Sequence, residues 1–316
     1  MAVGARPLVP SRIGVGRRSG SAHGSQRAPR SVVGAYIALT KPRIIELLLI
    51  TTVPTMVLAQ GTWPSIGLMA VTVAGGTLAA GGANAVNMYV DRDIDAVMKR
   101  TQGRPLVTGI IEPRNALVFA VLLEIVAFGV LWTGANLLSA LLALAAALFY
   151  VFVYTLWLKR TSTQNIVVGG AAGAVPVLVG WAAVRDSLDW APMLLFLAVF
   201  LWTPPHFWAL AIKHADDYRA ANVPMLPAVA PAVAVARKMV VYTAALVATT
   251  LLLVPVAELG WIYGVAAGLL GAAFLAGTID LARNPSASRS MRVFAFSITY
   301  VTLLFAAITV DVLVRS

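Results

Sequence analysis

The sequence predicts an all-α, polytopic membrane protein of nine transmembrane helices, with its N-terminus inside and its C-terminus outside. Three observations carry that prediction. Of 316 residues, 59% are apolar and 12% charged, about half the roughly 25% charged content of soluble domains. The apolar residues gather in runs near 20 residues, the length that crosses about 30 Å of hydrocarbon. The basic residues then fall almost entirely on one side of the resulting map. A mean hydropathy of +0.84 agrees. The same composition excludes a soluble enzyme and a disordered chain. With no cysteine, it also excludes a disulfide scaffold, a thiolate metal site and a cysteine nucleophile.

Residues 1–33 are rich in Gly, Ser, Pro and Arg and read as a disordered basic leader, followed by one transmembrane domain over 34–316. The leader holds no apolar run long enough for a signal peptide. Its Gly and Pro would spoil the amphipathic helix of a mitochondrial transit peptide, so it reads as a bacterial tail. A mitochondrial inner membrane is the alternative to a bacterial cell membrane. The spans then follow at 44–60, 66–90, 115–135, 137–158, 165–184, 190–212, 239–257, 261–281 and 293–314. Two boundaries rest on short turns, Thr133-Gly134-Ala135-Asn136 and Glu258-Leu259-Gly260-Trp261. Each divides an apolar run too long for one crossing. Gly75-Gly76, Gly81-Gly82 and Gly169-Gly170 fit close helix packing.

The positive-inside rule tests this map. With the N-terminus inside, 22 of the 24 Lys and Arg residues lie on the inner side, and only Arg185 and Arg315 lie outside. The net charge of +11 has the same origin. Residues 1–43 carry eight basic residues and no acid, and the rest is nearly balanced. No basic stripe crosses the domain, which argues against a nucleic-acid partner.

Two inner segments, 91–114 and 213–238, are the chemically rich ones. Asn87, Asp91 and Asp95 recur every four residues, advancing about 40° per step, and so share one helix face. Such an oxygen-rich, acidic face suits Mg²⁺, which takes one or two carboxylates, waters and substrate phosphates. A solvated helix end whose acids pair with Arg92 and Lys99 is the other reading. Asp93 lies about 200° away from Asp91 and is the least suited to join the set. Three cations follow, Lys99, Arg100 and Arg104. The second segment offers Lys213, His214, Asp216, Asp217 and Arg219. Two acid patches flanked by Arg and Lys suggest a diphosphate held between two metal-binding sites.

Asn87-x-x-x-Asp91-x-x-x-Asp95 with Arg100-Thr101-x-x-Arg104-Pro105-Leu106 resembles the intramembrane prenyltransferases of the UbiA superfamily. Trp202-Thr203-Pro204-Pro205-His206-Phe207-Trp208, Asp216-Asp217-Tyr218 and Val223-Pro224-Met225-Leu226-Pro227 narrow the likeness to the branch that farnesylates haem. The likeness runs from Lys41-Pro42-Arg43 to the last span. It implies that farnesyl diphosphate ionises with Mg²⁺ and that a vinyl group of haem b attacks the allylic cation. Water then completes a hydroxyethylfarnesyl side chain. It further implies catalytic roles for Asn87, Asp91, Asp95, Asp216 and Asp217, the four aspartates among them holding metal. Arg43, Arg100, Arg104, Lys159 and Lys213 would contact the diphosphate. The product would pass to a haem A synthase or a terminal oxidase assembly pathway. Many superfamily members carry a second Asp-x-x-x-Asp, but here Ala220 and Ala221 stand four beyond Asp216 and Asp217, which leaves open which of the pair binds metal.

Several residues carry two readings. Lys159 is either an interfacial anchor below Tyr150, Tyr154 and Trp157 or a diphosphate contact. Glu46 can pair with Arg43, and Glu124, near mid-span, is a candidate polar wall of the cavity. The Pro204-Pro205 pair is expected to interrupt backbone hydrogen bonding in the sixth span and leave carbonyls unpaired. His206 beside it, with Trp202, Phe207 and Trp208 as an aromatic wall, is either a haem ligand or a partner of a carbonyl freed by the prolines. Two other functions compete: prenylation of an aromatic quinone precursor, and transport with a coupling cation. Transporters place ionisable groups near the midplane, whereas most acids here lie in loops or at span ends.

Overall fold

The computed structural model describes residues 31–316, with the side chains of 43–49 outside that description. Residues 1–30 of the predicted leader, and the side chains of Arg43 and Glu46, therefore lie outside the described residues. Ser31 caps the first helix, its hydroxyl accepting from Gly34 N at 3.1 Å.

All regular structure among the described residues is helical. Helix α1 (Val32–Thr40) buries Ala35 and Leu39 and leaves Val32, Val33 and Ile37 outward. Lys41 adopts a left-handed φ of 53° and Pro42 opens α2 (Pro42–Gln60). Then come α3 (Ile66–Val90), α4 (Arg92–Val97), α5 (Pro113–Gly134) and α6 (Leu137–Leu148). A π-helix over Phe149–Leu158 and one α-turn, α7 (Lys159–Thr161), extend α6 into a continuous rod. Helices α8 (Asn165–Arg185), α9 (Trp190–Lys213), α10 (Ala215–Ala220), α11 (Leu226–Val229), α12 (Ala232–Val256), α13 (Trp261–Arg283) and α14 (Ala287–Arg315) complete the chain.

Eight of these elements are long and apolar enough to cross a membrane, and α2 adds a shorter described apolar stretch, Ile50–Gln60. The molecule is a polytopic membrane protein. Their outer faces are apolar, as on α5, where Val118, Val121, Leu122, Ile125 and Val126 are exposed. Such a surface needs lipid around it. Both short turns are present. Asn136 caps α6 by accepting from Ser139 N at 2.8 Å. The fully buried Asp311 of α14 accepts from Gly260 N (2.6 Å) and Tyr263 N (3.1 Å), which caps α13 from a different helix.

Helix α2 packs on α3, α8 and α14, so the first and last long helices meet. Glycine permits the tightest approaches. A Cβ on Gly82 would stand 2.9 Å from the Ala120 carbonyl of α5, and one on Gly169 would strike the Tyr154 ring at 2.3 Å. The proline pair does not end its helix. Helix α9 runs unbroken from Trp190 to Lys213 through Pro204 and Pro205. The prolines forgo two backbone donors, but both are buried and the hydrogen bonds on either side carry the helix across.

Candidate active site

The acid-bearing face survives the end of its helix. Asp91 N donates to Asn87 O (2.9 Å) and Asp95 N to Asp91 O (2.8 Å), so the four-residue ladder continues from α3 into α4. Asn87, Asp91 and Asp95 therefore stay in one row, and all three are buried, at 2%, 0% and 2% exposure. That burial removes the reading of a solvated helix end. The partners are not Arg92 and Lys99 but Lys41, Lys159 and Arg104. Lys41 Nζ donates to Asn87 Oδ1 at 2.7 Å, Lys159 Nζ pairs with Asp91 Oδ2, and Arg104 Nη1 meets Asp95 Oδ2 at 2.5 Å. Asp93 faces outward, as its angle requires. Arg160 forks onto it at 2.7 and 2.8 Å, and that hydrogen bonding holds the Asp93 carboxyl down at about 2.

Lys159 reaches this row because of the π-helix. The wider turn lets Thr155 Oγ1 donate to Tyr150 O, five residues back, at 2.8 Å. Thr155 in turn accepts from Asn87 Nδ2 at 3.0 Å. Thr155 and Lys159 thus match Asn87 and Asp91 rung for rung. π-Turns recur at functional sites because they re-aim side chains in this way. With 13% of its side chain exposed, Lys159 is no snorkelling anchor; the neighbouring Trp157 keeps an outward position.

Turns at Thr101 and Arg104 fold the 98–111 segment back, and Thr101 Oγ1 fastens it to Asp95 O at 2.9 Å. Arg100 then stands beside Tyr218 and within electrostatic reach of His214, so both loops share one end of the bundle. Burial first, and Arg100 second, hold the His214 imidazole below its usual range. Asp217 is half-buried and 3.8 Å from His214 Nδ1, whereas Asp216 is 97% exposed and pairs with Arg219. Lys213 is exposed at the same end. Lys41 is held well below the ordinary lysine range, chiefly by burial and then by Arg104 and Lys159.

Among the described residues, no three His, Asp or Glu side chains converge on one point that could hold a metal ion. The two acid patches do not merge into a single four-aspartate cage. One detail nonetheless suits a divalent cation: Asp91 Oδ1 is buried and has no hydrogen-bond partner. Mg²⁺ needs only one or two carboxylates when phosphate and water complete its shell.

Just above the acid row, an apolar cleft opens between α2, α3, the α6 rod and α8. Asn84 and Tyr150 sit at its near end, and Ala79, Ala143 and Val179 line it farther in. Glu124 is not among its walls; it lies against Gly82 where α3 meets α5. On α9, the His206 ring is stacked on Trp202 (centroids 4.2 Å apart) and on Phe294 of α14 (4.7 Å). Its Nδ1 lies 2.6 Å from Ser297 Oγ. The expected aromatic wall therefore changes. Trp202 is spent on the histidine itself, and Trp208 is buried edge-on to Tyr242.

The sequence profile of the UbiA prenyltransferase family matches residues 48–303. The chain belongs to that family. A protoheme IX farnesyltransferase of Clavibacter sepedonicus is 53% identical to this prenyltransferase over 296 residues, 90% of this chain and 96% of the relative. Protoheme IX farnesyltransferase 1 of Saccharopolyspora erythraea is 56% identical over 285 residues, covering 89% and 91%. Solved structures share the fold at low identity. A digeranylgeranylglyceryl phosphate synthase gives a TM-score of 0.74 at 16% identity over 89% of this chain and 98% of its own. A UbiA homologue of Archaeoglobus fulgidus bound to DMAPP and Mg²⁺ gives 0.61 at 16%, covering 87% and 99%.

Of the residues expected at the site, the structure gathers Asn87, Asp91, Asp95, Arg104 and Lys159 in one buried cluster. Arg100 and Asp217 flank it from the two loops, while Asp216 and Lys213 point to the exterior. Lys41, Thr155, Phe294 and Ser297 escaped the sequence reading. For Thr155 a signal existed, since its spacing to Lys159 repeats that of Asn87 to Asp91. For Ser297 there was none.

Proposed function

We propose that this prenyltransferase transfers the farnesyl group of farnesyl diphosphate to a vinyl group of haem b, giving haem O. The observation that carries this reading is the acid row and its cations at the mouth of an apolar cleft. The names of relatives above 50% identity support haem b over an aromatic quinone precursor as acceptor.

Held at two separate sites, by Asp91 and Asp95 at one and by Asp217 at the other, Mg²⁺ would supply charge neutralisation for the departing diphosphate. Asp217 is favoured over Asp216 because it is half-buried beside Arg100 and His214. Lys159, Arg104, Arg100 and Lys41 stabilise the leaving group electrostatically, in a pocket where such contacts act strongly. Lys159 exchanges its bond to Asp91 for one to the diphosphate. Arg43 and Lys213 are proposed as further contacts at the rim. The cleft walls orient the farnesyl chain, each buried CH₂ contributing about 0.8 kcal/mol, and keep water from the cation until the vinyl carbon has attacked. His206 holds the macrocycle. The helix count of nine, with the active end cytoplasmic in a bacterial cell membrane, follows from the basic-residue asymmetry.

The test is to incubate membranes carrying the protein with farnesyl diphosphate and either haem b or 4-hydroxybenzoate. Conversion of haem b with Mg²⁺ is expected. Prenylation of the aromatic acid alone would refute the assignment.

A further inference from the structure

The hydrogen bonds around His206 determine where its proton sits. Ser297 Oγ lies 2.6 Å from the Phe294 carbonyl oxygen and 2.6 Å from His206 Nδ1. A carbonyl cannot donate, so the single hydroxyl proton of Ser297 goes to Phe294 O. The same Oγ must then accept from His206, which places the imidazole proton on Nδ1. A neutral imidazole carries one proton, so Nε2 is left with a lone pair. No described residue hydrogen-bonds to Nε2.

We propose that Ser297 is a positioning residue that holds His206 in the Nδ1–H tautomer and so presents Nε2 as the axial ligand of the haem iron. This rests on the reading that haem b is the acceptor. The stacking fits the role. Trp202 and Phe294 stack on the faces of the ring, at interplanar angles of 18° and 28°, so that only its edge is left for a ligand contact. Axial ligation uses that edge. Trp202 Nε1 also donates to the Ser297 carbonyl at 2.8 Å, which ties the ring's support on α9 to the serine on α14. A second hydrogen bond from the far nitrogen fixes ring orientation and raises ligand basicity at metal-bound histidines generally. His206 itself lies about 10 Å from Lys213 along α9, from seven residues at 1.5 Å each, and so inward of that end of the bundle.

The experiment titrates the purified full-length protein with ferric haem b and follows the Soret band and the affinity, with farnesyl diphosphate affinity as control. His206→Ala should shift the Soret band. Ser297→Ala should weaken haem b about tenfold, the effect of one lost hydrogen bond at a ligand, and leave farnesyl diphosphate affinity unchanged. Ser297→Thr should restore haem affinity, and Ser297→Cys, a weaker partner of similar size, should fall between. In the His206→Ala background, Ser297→Ala should have no further effect. Wild-type haem affinity in Ser297→Ala, or an equal loss with and without His206, would overturn the proposal while leaving His206 as ligand. Should Ser297→Ala not fold, equal haem affinity of the Cys and Thr variants overturns it instead. An unshifted Soret band in His206→Ala would refute the haem-ligand reading itself.

Discussion

Lys159 and Asp91 stand 68 residues apart in the chain and meet side chain to side chain, with Asp91 fully buried. The same separation of 68 joins Asn87 to Thr155, one rung away. Two helix ends therefore run side by side in register, and the cation that neutralises the acid is the one that a diphosphate would recruit. This couples the stability of the site to its chemistry.

Asp91→Asn should lower kcat by at least about 10², a usual loss for removing an electrostatic contact of the transition state. Turnover should also lose its dependence on Mg²⁺ concentration, and chelation with EDTA should reproduce the loss in the wild type. Rates measured with farnesyl diphosphate and haem b across a Mg²⁺ series check this. Wild-type turnover in the variant would remove the metal assignment from Asp91.

Lys159→Met should leave the buried Asp91 carboxylate with only Arg160, 3.8 Å away, as counter-ion and destabilise the protein by up to about 3–5 kcal/mol. The double variant Asp91→Asn with Lys159→Met should recover most of that stability and none of the activity. Thermal unfolding in detergent, together with turnover, separates the two effects. A double variant no more stable than Lys159→Met would show that the pair is not coupled.

Ala143→Phe should shorten the apolar cleft, since Ala143 lines it seven residues before Tyr150. The preference should move from farnesyl toward geranyl diphosphate by at least about tenfold, because loss of only two buried CH₂ groups is worth that much. Competition between the two donors, read by mass spectrometry of the products, provides the measure. An unchanged ratio would place the farnesyl chain elsewhere.

A reporter fused after Ser316 should register outside the cell and one in the 213–238 segment inside, following the basic asymmetry. Both ends of the chain on one side would mean an even number of spans.

Much of the fold was legible because hydrophobic length is a local property. Every one of the eight long apolar helices overlaps a predicted span, and even the short turns at Thr133–Asn136 and Glu258–Trp261 are where apolar runs had to break. The shared face of Asn87, Asp91 and Asp95 was legible for a similar reason, since helical periodicity is fixed within a few residues. At Pro204-Pro205 the two lost donors were legible, but whether the helix would continue past them was not. It does continue, from Trp190 to Lys213.

By itself, the sequence determined that the chain lives in a membrane, which residues carry acid and cation chemistry, and the family whose motifs they match. Those are matters of composition, period and spacing. Only the tertiary structure decided which cation meets which acid, that Glu124 stands apart from the cleft, and that Ser297 supports His206. Each of these depends on how helices distant in sequence come into register, and a π-helix or a glycine contact can shift that register by part of a turn. A local reading of residue types contains no term for such shifts, so partners 68 or 91 residues away could be seen only in the folded chain.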